Sequence, residues 1–121
     1  MFNINNSGII ILSRGDTFSI PLFLNKGNKL YPIRYVVDSK SEIFIGVMEP
    51  NATFENAIIK KKYTSENLNE NGDVVVSFQS EDTCNLLPGL YYYEVKVKIY
   101  ESEGIYSINT VIPKKQFFIE E

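Results

Sequence analysis

From Tyr91 onward the chain alternates. Tyr91, Tyr93, Val95, Val97 and Ile99 fall on one side of an extended backbone, and Tyr92, Glu94, Lys96, Lys98 and Tyr100 fall on the other. A repeat of two belongs to a strand and not to a helix. Just before it, Pro88-Gly89 carries type II turn chemistry, with Pro presetting φ and Gly supplying a positive φ in the next position. The pattern therefore predicts a strand that begins there. Tyr106, Ile108, Thr110 and Ile112 resume the alternation after Glu101-Ser102-Glu103-Gly104. The two limbs predict a long antiparallel hairpin with one face on a core and one in water.

The rest of the chain reads in the same key. Gly8 to Ser13 is a short apolar run, expected as a first strand buried on both faces, and Arg14-Gly15-Asp16 turns the chain. Phe18, Ile20, Leu22 and Leu24 alternate inward on the next strand, where Pro21 cannot donate to a ladder and points to an edge or a bulge. Asn25 to Lys29 is a polar turn, and Ile33 to Val37 fits either a short strand or an irregular crossover. Glu42 to Glu49 predicts a strand whose internal Gly46 signals a bulge or a close backbone approach. Ala57 to Tyr63 and Asp73 to Phe78 predict two more strands, with one helical turn at Thr64 to Leu68 between them. Ser80 to Leu87, with Ser80 as N-cap and acids in the first turn, predicts a short helical connection. Phe117 to Ile119 predicts a last strand. Strands about ten residues apart, with turn signals and almost no helix, describe a sandwich or a barrel, and a sandwich of seven to nine strands is the preferred reading.

Length makes this one domain, residues 1–121, with an ordered core from about Gly8 to Ile119. Eight tyrosines and eight phenylalanines without tryptophan, together with many Val and Ile, suit half-buried pleated surfaces. A single cysteine, Cys84, gives no intrachain disulfide and favours a reducing compartment. The start Met-Phe-Asn-Ile-Asn-Asn-Ser lacks the features of a signal peptide, and no apolar run reaches the length of a membrane span. Synthesis in the cytoplasm without export by that route, and no membrane partner, are the expectations. A net charge of −3 argues against nucleic acid as the main partner. The basic run Lys60-Lys61-Lys62 lies in a strand, where neighbours point to opposite faces and are not expected to form one patch.

Candidate chemistry is sparse. The chain has no histidine, which removes the commonest general base, the commonest metal ligand and every Ser-His or Cys-His nucleophile. One cysteine without histidine cannot assemble a zinc site from N and S ligands. Asn67 to Gly72 loosely matches the start of a calcium loop, but the first position is Asn67 rather than Asp and the twelfth is Phe78 rather than Glu. Most carboxylates fall at turns or on the water face. No glycine-rich phosphate cradle is present, Arg14-Gly15-Asp16 is explained as a turn, and the acceptor patterns at Asn5 and Asn51 are inert without a secretory route. Cys84, just before an apolar pair, is expected as a small core residue. No enzymatic role, cofactor or metal follows. Tyr92, Lys96, Lys98 and Tyr100, outward by alternation, form the one promising surface, an aromatic and basic strip suited to a protein interface or to stacking of a sugar.

Several segments together carry a likeness: Arg14-Gly15-Asp16-Thr17-Phe18, Phe44 to Pro50, Ile58-Ile59-Lys60-Lys61, Asp82-Thr83, Leu87 to Glu94 and Thr110-Val111-Ile112-Pro113. The pattern resembles small tail and baseplate proteins of phages and prophages of low-GC Gram-positive bacteria, and is similar to the N-terminal domain of the phage baseplate upper protein family. The resemblance covers nearly the whole chain, and its motifs are turns and core positions. It implies an all-β, immunoglobulin-like antiparallel sandwich acting as a non-enzymatic structural and assembly subunit of a virion or tail-like particle. Its implied partners are other tail or baseplate proteins, or copies of itself. Upper baseplate proteins continue into further domains, whereas this chain ends at Glu121, so a stand-alone connector or accessory subunit is the expectation. The alternative function is a carbohydrate-binding module that recognises host cell-surface glycan.

Overall fold

The computed structural model describes residues 2–28 and 30–121; of the expected polar turn Asn25 to Lys29, Lys29 lies outside the described residues. Its strands are β1 (Phe2–Ile4), β2 (Ile10–Ser13), β3 (Phe18–Leu22), β4 (Glu42–Met48), β5 (Ile59–Tyr63), β6 (Val74–Phe78), β7 (Gly89–Ser102) and β8 (Ile105–Glu120), with one helical turn, α1 (Ser80–Thr83). Short 3-10 turns occupy Phe54–Asn56 and Ser65–Asn67. The all-β expectation holds. Strands β1-β2-β8-β7-β4-β5 form one sheet, and β3 pairs with β6 in a second.

The inward faces of both sheets meet in one hydrophobic cluster. Alternation on β4 and β7 buries Ile43, Ile45, Val47, Tyr93, Val95 and Val97, none more than 2% exposed. A file of aromatic rings crosses the cluster: Phe2, Phe18, Phe78, Phe117 and Tyr93 follow one another at centroid separations of 4.3, 4.8, 5.8 and 6.3 Å. Rings at these spacings, stacked or edge-on, add attraction beyond the area that they bury. Tyr63 ties β5 to β6, its hydroxyl accepting from the Ser77 amide and donating to the Ser77 carbonyl. Thr83 is fully buried and its hydroxyl accepts from the Gly15 amide, so α1 is pinned to the turn after β2.

Several expectations change. The sheet is mixed rather than antiparallel throughout, because β2 runs parallel to β8 from Ile10↔Phe117 to Ser13↔Glu120. A further strand, β1, precedes the expected first one, and β2 buries only Ile10 and Leu12 on alternate positions rather than both faces. Its single buried face follows from its place beside β1, near the edge of the sheet. The return limb and the expected last strand are one element, β8, despite Pro113. Register explains how: the partner of Tyr93 is Lys115 and that of Val95 is Ile112, so an extra β8 residue bulges opposite Glu94, where Pro113 and Lys114 sit. A bulge leaves a residue unpaired, and proline tolerates that position. Pro21 likewise lies on β3, which pairs with β6 alone and is an edge strand. Ile33 to Val37 is irregular, with a single bridge from Asn25 to Arg34. The cap of α1 is Gln79 rather than Ser80, its amide donating to the Asp82 carboxylate at 2.7 Å. Cys84 is exposed, not core, because α1 turns Thr83 inward in its place.

Candidate functional site

The face of the large sheet turned away from the cluster follows from register. On β4, Phe44, Gly46 and Met48 alternate with the residues of the core cluster, Gly46 and Met48 being covered from the other side; Lys62 pairs with Phe44 and Lys60 with Gly46 across β5, and Lys96 pairs with Phe44 and Glu94 with Gly46 across β7. Paired residues share a face, so Lys60 and Lys62 on β5 and Lys96 and Lys98 on β7 stand on one face, on either side of β4. Within the run Lys60-Lys61-Lys62 the alternation holds. Lys61 points to the other side, where it pairs with Asp82 at 2.8 Å and lies over the Phe78 ring. The expectation that these lysines make no patch is corrected at the level of the sheet, because cross-strand neighbours supply what sequence neighbours cannot.

The segment between β4 and β5 folds back over this face. Asn51 at φ 71° and the Ala52-to-Glu49 hydrogen bond reverse the chain, and the Phe54–Asn56 turn sets the Phe54 ring directly above Gly46. A Cβ on Gly46 would lie 2.8 Å from Phe54 Cε2 and 3.2 Å from Ala57 Cβ, so glycine is what permits this approach. The close backbone approach expected at Gly46 is thus present. Lys114 Nζ donates to the Ala52 carbonyl at 2.8 Å and fastens the segment to β8. Lys60 and Lys96 place their ammonium groups 5.3 and 5.5 Å from the Phe54 centroid, within cation–π range.

The result is an open groove of about 740 Å³ lined by Phe44, Phe54, Lys60, Lys96, Lys98 and Ile108, with Lys114, Glu55, Glu94 and Thr53 at its sides. Lys96 is held by Thr110 Oγ1 at 2.9 Å and Glu94 at 3.9 Å, and Lys62 is met by Glu42 at 3.2 Å. Four lysines against two glutamates leave the groove positive in a chain whose net charge is −3. Such a site can hold carboxylates beside apolar side chains.

Of the four residues expected on the strip, Lys96 and Lys98 line the groove. Tyr100 lies beyond it, edge-on to Tyr106 at 5.6 Å, with Lys40 Nζ 4.4 Å from its centroid. Its amide donates to the Oγ of buried Ser41, which in turn donates to Asp38. Tyr92 is half-buried toward the other end, between Met48 and Gln116. Eight residues of extended chain separate Tyr92 from Tyr100, about 27 Å at a strand's rise. The strip is therefore a line along β7 and not one cluster. Phe44, Phe54, Lys60, Ile108 and Lys114 are the residues that sequence reasoning missed. The signal that could have found them was Gly46, whose close approach needed an occupant.

Tyr91 and Tyr93 belong to the core side. Burial pushes the Tyr93 phenol up to about 12, and its hydroxyl donates to the Gly8 carbonyl at 2.5 Å. Burial, then the nearby Glu49 carboxylate, raises Tyr91, which donates to the Leu87 carbonyl. Asn67 and Asn69 spend their side-chain oxygens on backbone amides of their own turns, as the turn reading of that stretch expects. Among the described residues no helix is long and apolar enough to cross a membrane. No protein-family model matches the chain, and neither the curated proteins nor the solved structures contain a significant match.

Proposed function

We propose that this chain is a non-enzymatic assembly subunit of a phage tail or phage-tail-like particle, at the baseplate or fibre attachment, built as an immunoglobulin-like sandwich. The resemblance of its turn and core motifs to baseplate upper proteins supports the particle. The order β2-β8-β7-β4-β5 set against β3-β6, with β2 parallel to β8, supports the sandwich. The observation that carries the docking role is the convergence of Lys60, Lys96, Lys98 and Lys114 with Phe44 and Phe54 on one sheet face. Aromatic anchors beside cations suit a protein surface that offers carboxylates around an apolar centre. Lys62 and Lys96 are already matched by Glu42 and Glu94, which favours an acidic protein over a continuous polyanion such as nucleic acid.

The sugar-binding alternative is weaker on geometry. Stacking needs an open aromatic face, and Lys40 and Lys98 each already cover one face of Tyr100 and Tyr106 at 4.4 and 4.5 Å. The test is to band particles from lysates of the source cells on a density gradient and quantify this chain in them. A fixed ratio to the major tail protein supports the assembly reading. A chain that stays in the soluble fraction and is retained on cell-surface glycan overturns it.

A further inference from the structure

Sheet edges are pairing sites unless they are blunted. Most edges here are: β5 carries Lys60, Lys61 and Lys62, β3 carries Pro21, and β1 is three residues long. The first half of the β8 edge, ahead of the bulges at Val111 and at Pro113-Lys114, is different. β2 covers β8 only from Phe117 to Glu120, and no other strand among the described residues pairs there, so Ile105 to Gln116 has a partner, β7, on one side alone. Ile105 to Ile112 contains no charged residue and is rich in β-branched side chains. Ile105, Tyr106 and Ile108 are 58%, 44% and 66% exposed. An uncharged, apolar, open strand edge is the pattern that natural proteins avoid unless something covers it.

Charge identifies the occupant. Beside the second half of this edge lies a cleft of about 700 Å³, between Asn109 to Lys115 and the loop carrying Phe23, Lys26 and Asn28. Its charged lining residues are Lys26 and Lys115, both basic. The hairpin tip just ahead of the edge carries Glu101 and Glu103. We propose that the β8 edge pairs antiparallel with the β8 edge of a second copy, about a two-fold axis near Asn109. That register sets Ile108 of one copy opposite Thr110 of the other, two β-branched side chains on the same face, whereas the unpaired Val111 turns Ile112 to the core side, away from Tyr106. The same register also lays each acidic tip into the other copy's basic cleft, twice over by symmetry. The pairing is made by the backbone edge of β8; Ile108 and Thr110 also border the lysine-lined groove, but self-association is read on the purified chain and particle incorporation is not, so the two can fail separately.

Light scattering after size exclusion, with loads up to about 200 µM to reach the weak end of specific association, should give twice the monomer mass. Hydrogen exchange should show the edge-facing amides of residues 105–113 slowing at least tenfold between dilute and concentrated samples. N109K sets two lysines opposite each other at the axis and should restore the monomer. Glu103→Lys and Lys115→Glu should each weaken the dimer, and the two together should recover it. A monomer at every load, a dimer whose 105–113 amides exchange at the monomer rate, or a charge swap without recovery each overturns the proposal.

Discussion

Gly46→Ala is the change whose sign separates a packed groove from a merely adjacent loop. Gly46 lies inside β4 without a positive φ, so alanine can adopt its backbone. In open space the change would raise stability by about 0.5–1 kcal/mol, because glycine in a strand interior loses more freedom on folding than alanine. Space is not open. The new methyl would lie 2.8 and 3.0 Å from Phe54 Cε2 and Cδ2 and 3.2 Å from Ala57 Cβ. Overpacking of this kind costs about 1–3 kcal/mol, and the net expectation is a loss of about 0.5–2 kcal/mol after the glycine effect. Urea unfolding followed by far-UV circular dichroism measures it, with a lowered midpoint and an unchanged slope. Since Phe54 is the first atom set met, the same change in a Phe54→Ala background should cost less, and the cycle isolates the coupling. A midpoint that rises for Gly46→Ala in the parent chain would refute the packing of Phe54 on β4.

Three further outcomes follow from the core and the face. Phe117→Ala removes the ring between Phe78 and Tyr93 and should cost about 3–5 kcal/mol, read as a melting temperature lower by about 10–20 °C in calorimetry. Tyr93→Phe removes the hydroxyl that donates to the Gly8 carbonyl and should cost about 0.5–1.5 kcal/mol in the same urea assay. For Tyr93 the folded phenol holds its proton up to about 12 against an ordinary 10.0. The unfolded chain therefore ionises first, so this contribution is complete below pH 10 and is lost as the pH rises through 12. Stability should fall over that window and fall less in Tyr93→Phe, with the ionisation itself read from ultraviolet absorbance.

The strands were legible because their residues alternate: Ile43, Ile45 and Val47 on β4 and Tyr93, Val95 and Val97 on β7 are buried where period two puts them. Turns were legible where glycine enforces them, as at Gly15 and Gly72. What the sequence did not disclose depends on partners distant along the chain. Phe117 to Ile119 looked separate because Pro113 interrupts the pattern, and only the register against Tyr93 and Val95 shows the bulge that accommodates it. The parallel pairing of β2 with β8 joins residues more than a hundred positions apart, and no local signal encodes it. On the face, Lys96 and Lys98 were identified by alternation. Lys60 joins them only through two strand registers, and Phe54 only through a fold-back that Gly46 permits. Tyr92 shares their strand but not their place, since alternation fixes the side of a sheet and not the distance along it.

The measurement that tests the docking face most directly is incorporation of Lys60→Glu with Lys98→Glu into particles, counted per particle against the parent chain. Both side chains line the groove and neither belongs to the core cluster, so the variant should fold cooperatively, with only the modest loss of stability expected from the Lys60–Phe54 and Lys98–Tyr106 contacts. The account predicts a soluble, folded variant whose copies per particle fall at least tenfold. A folded variant that enters particles at the parent's ratio would contradict it.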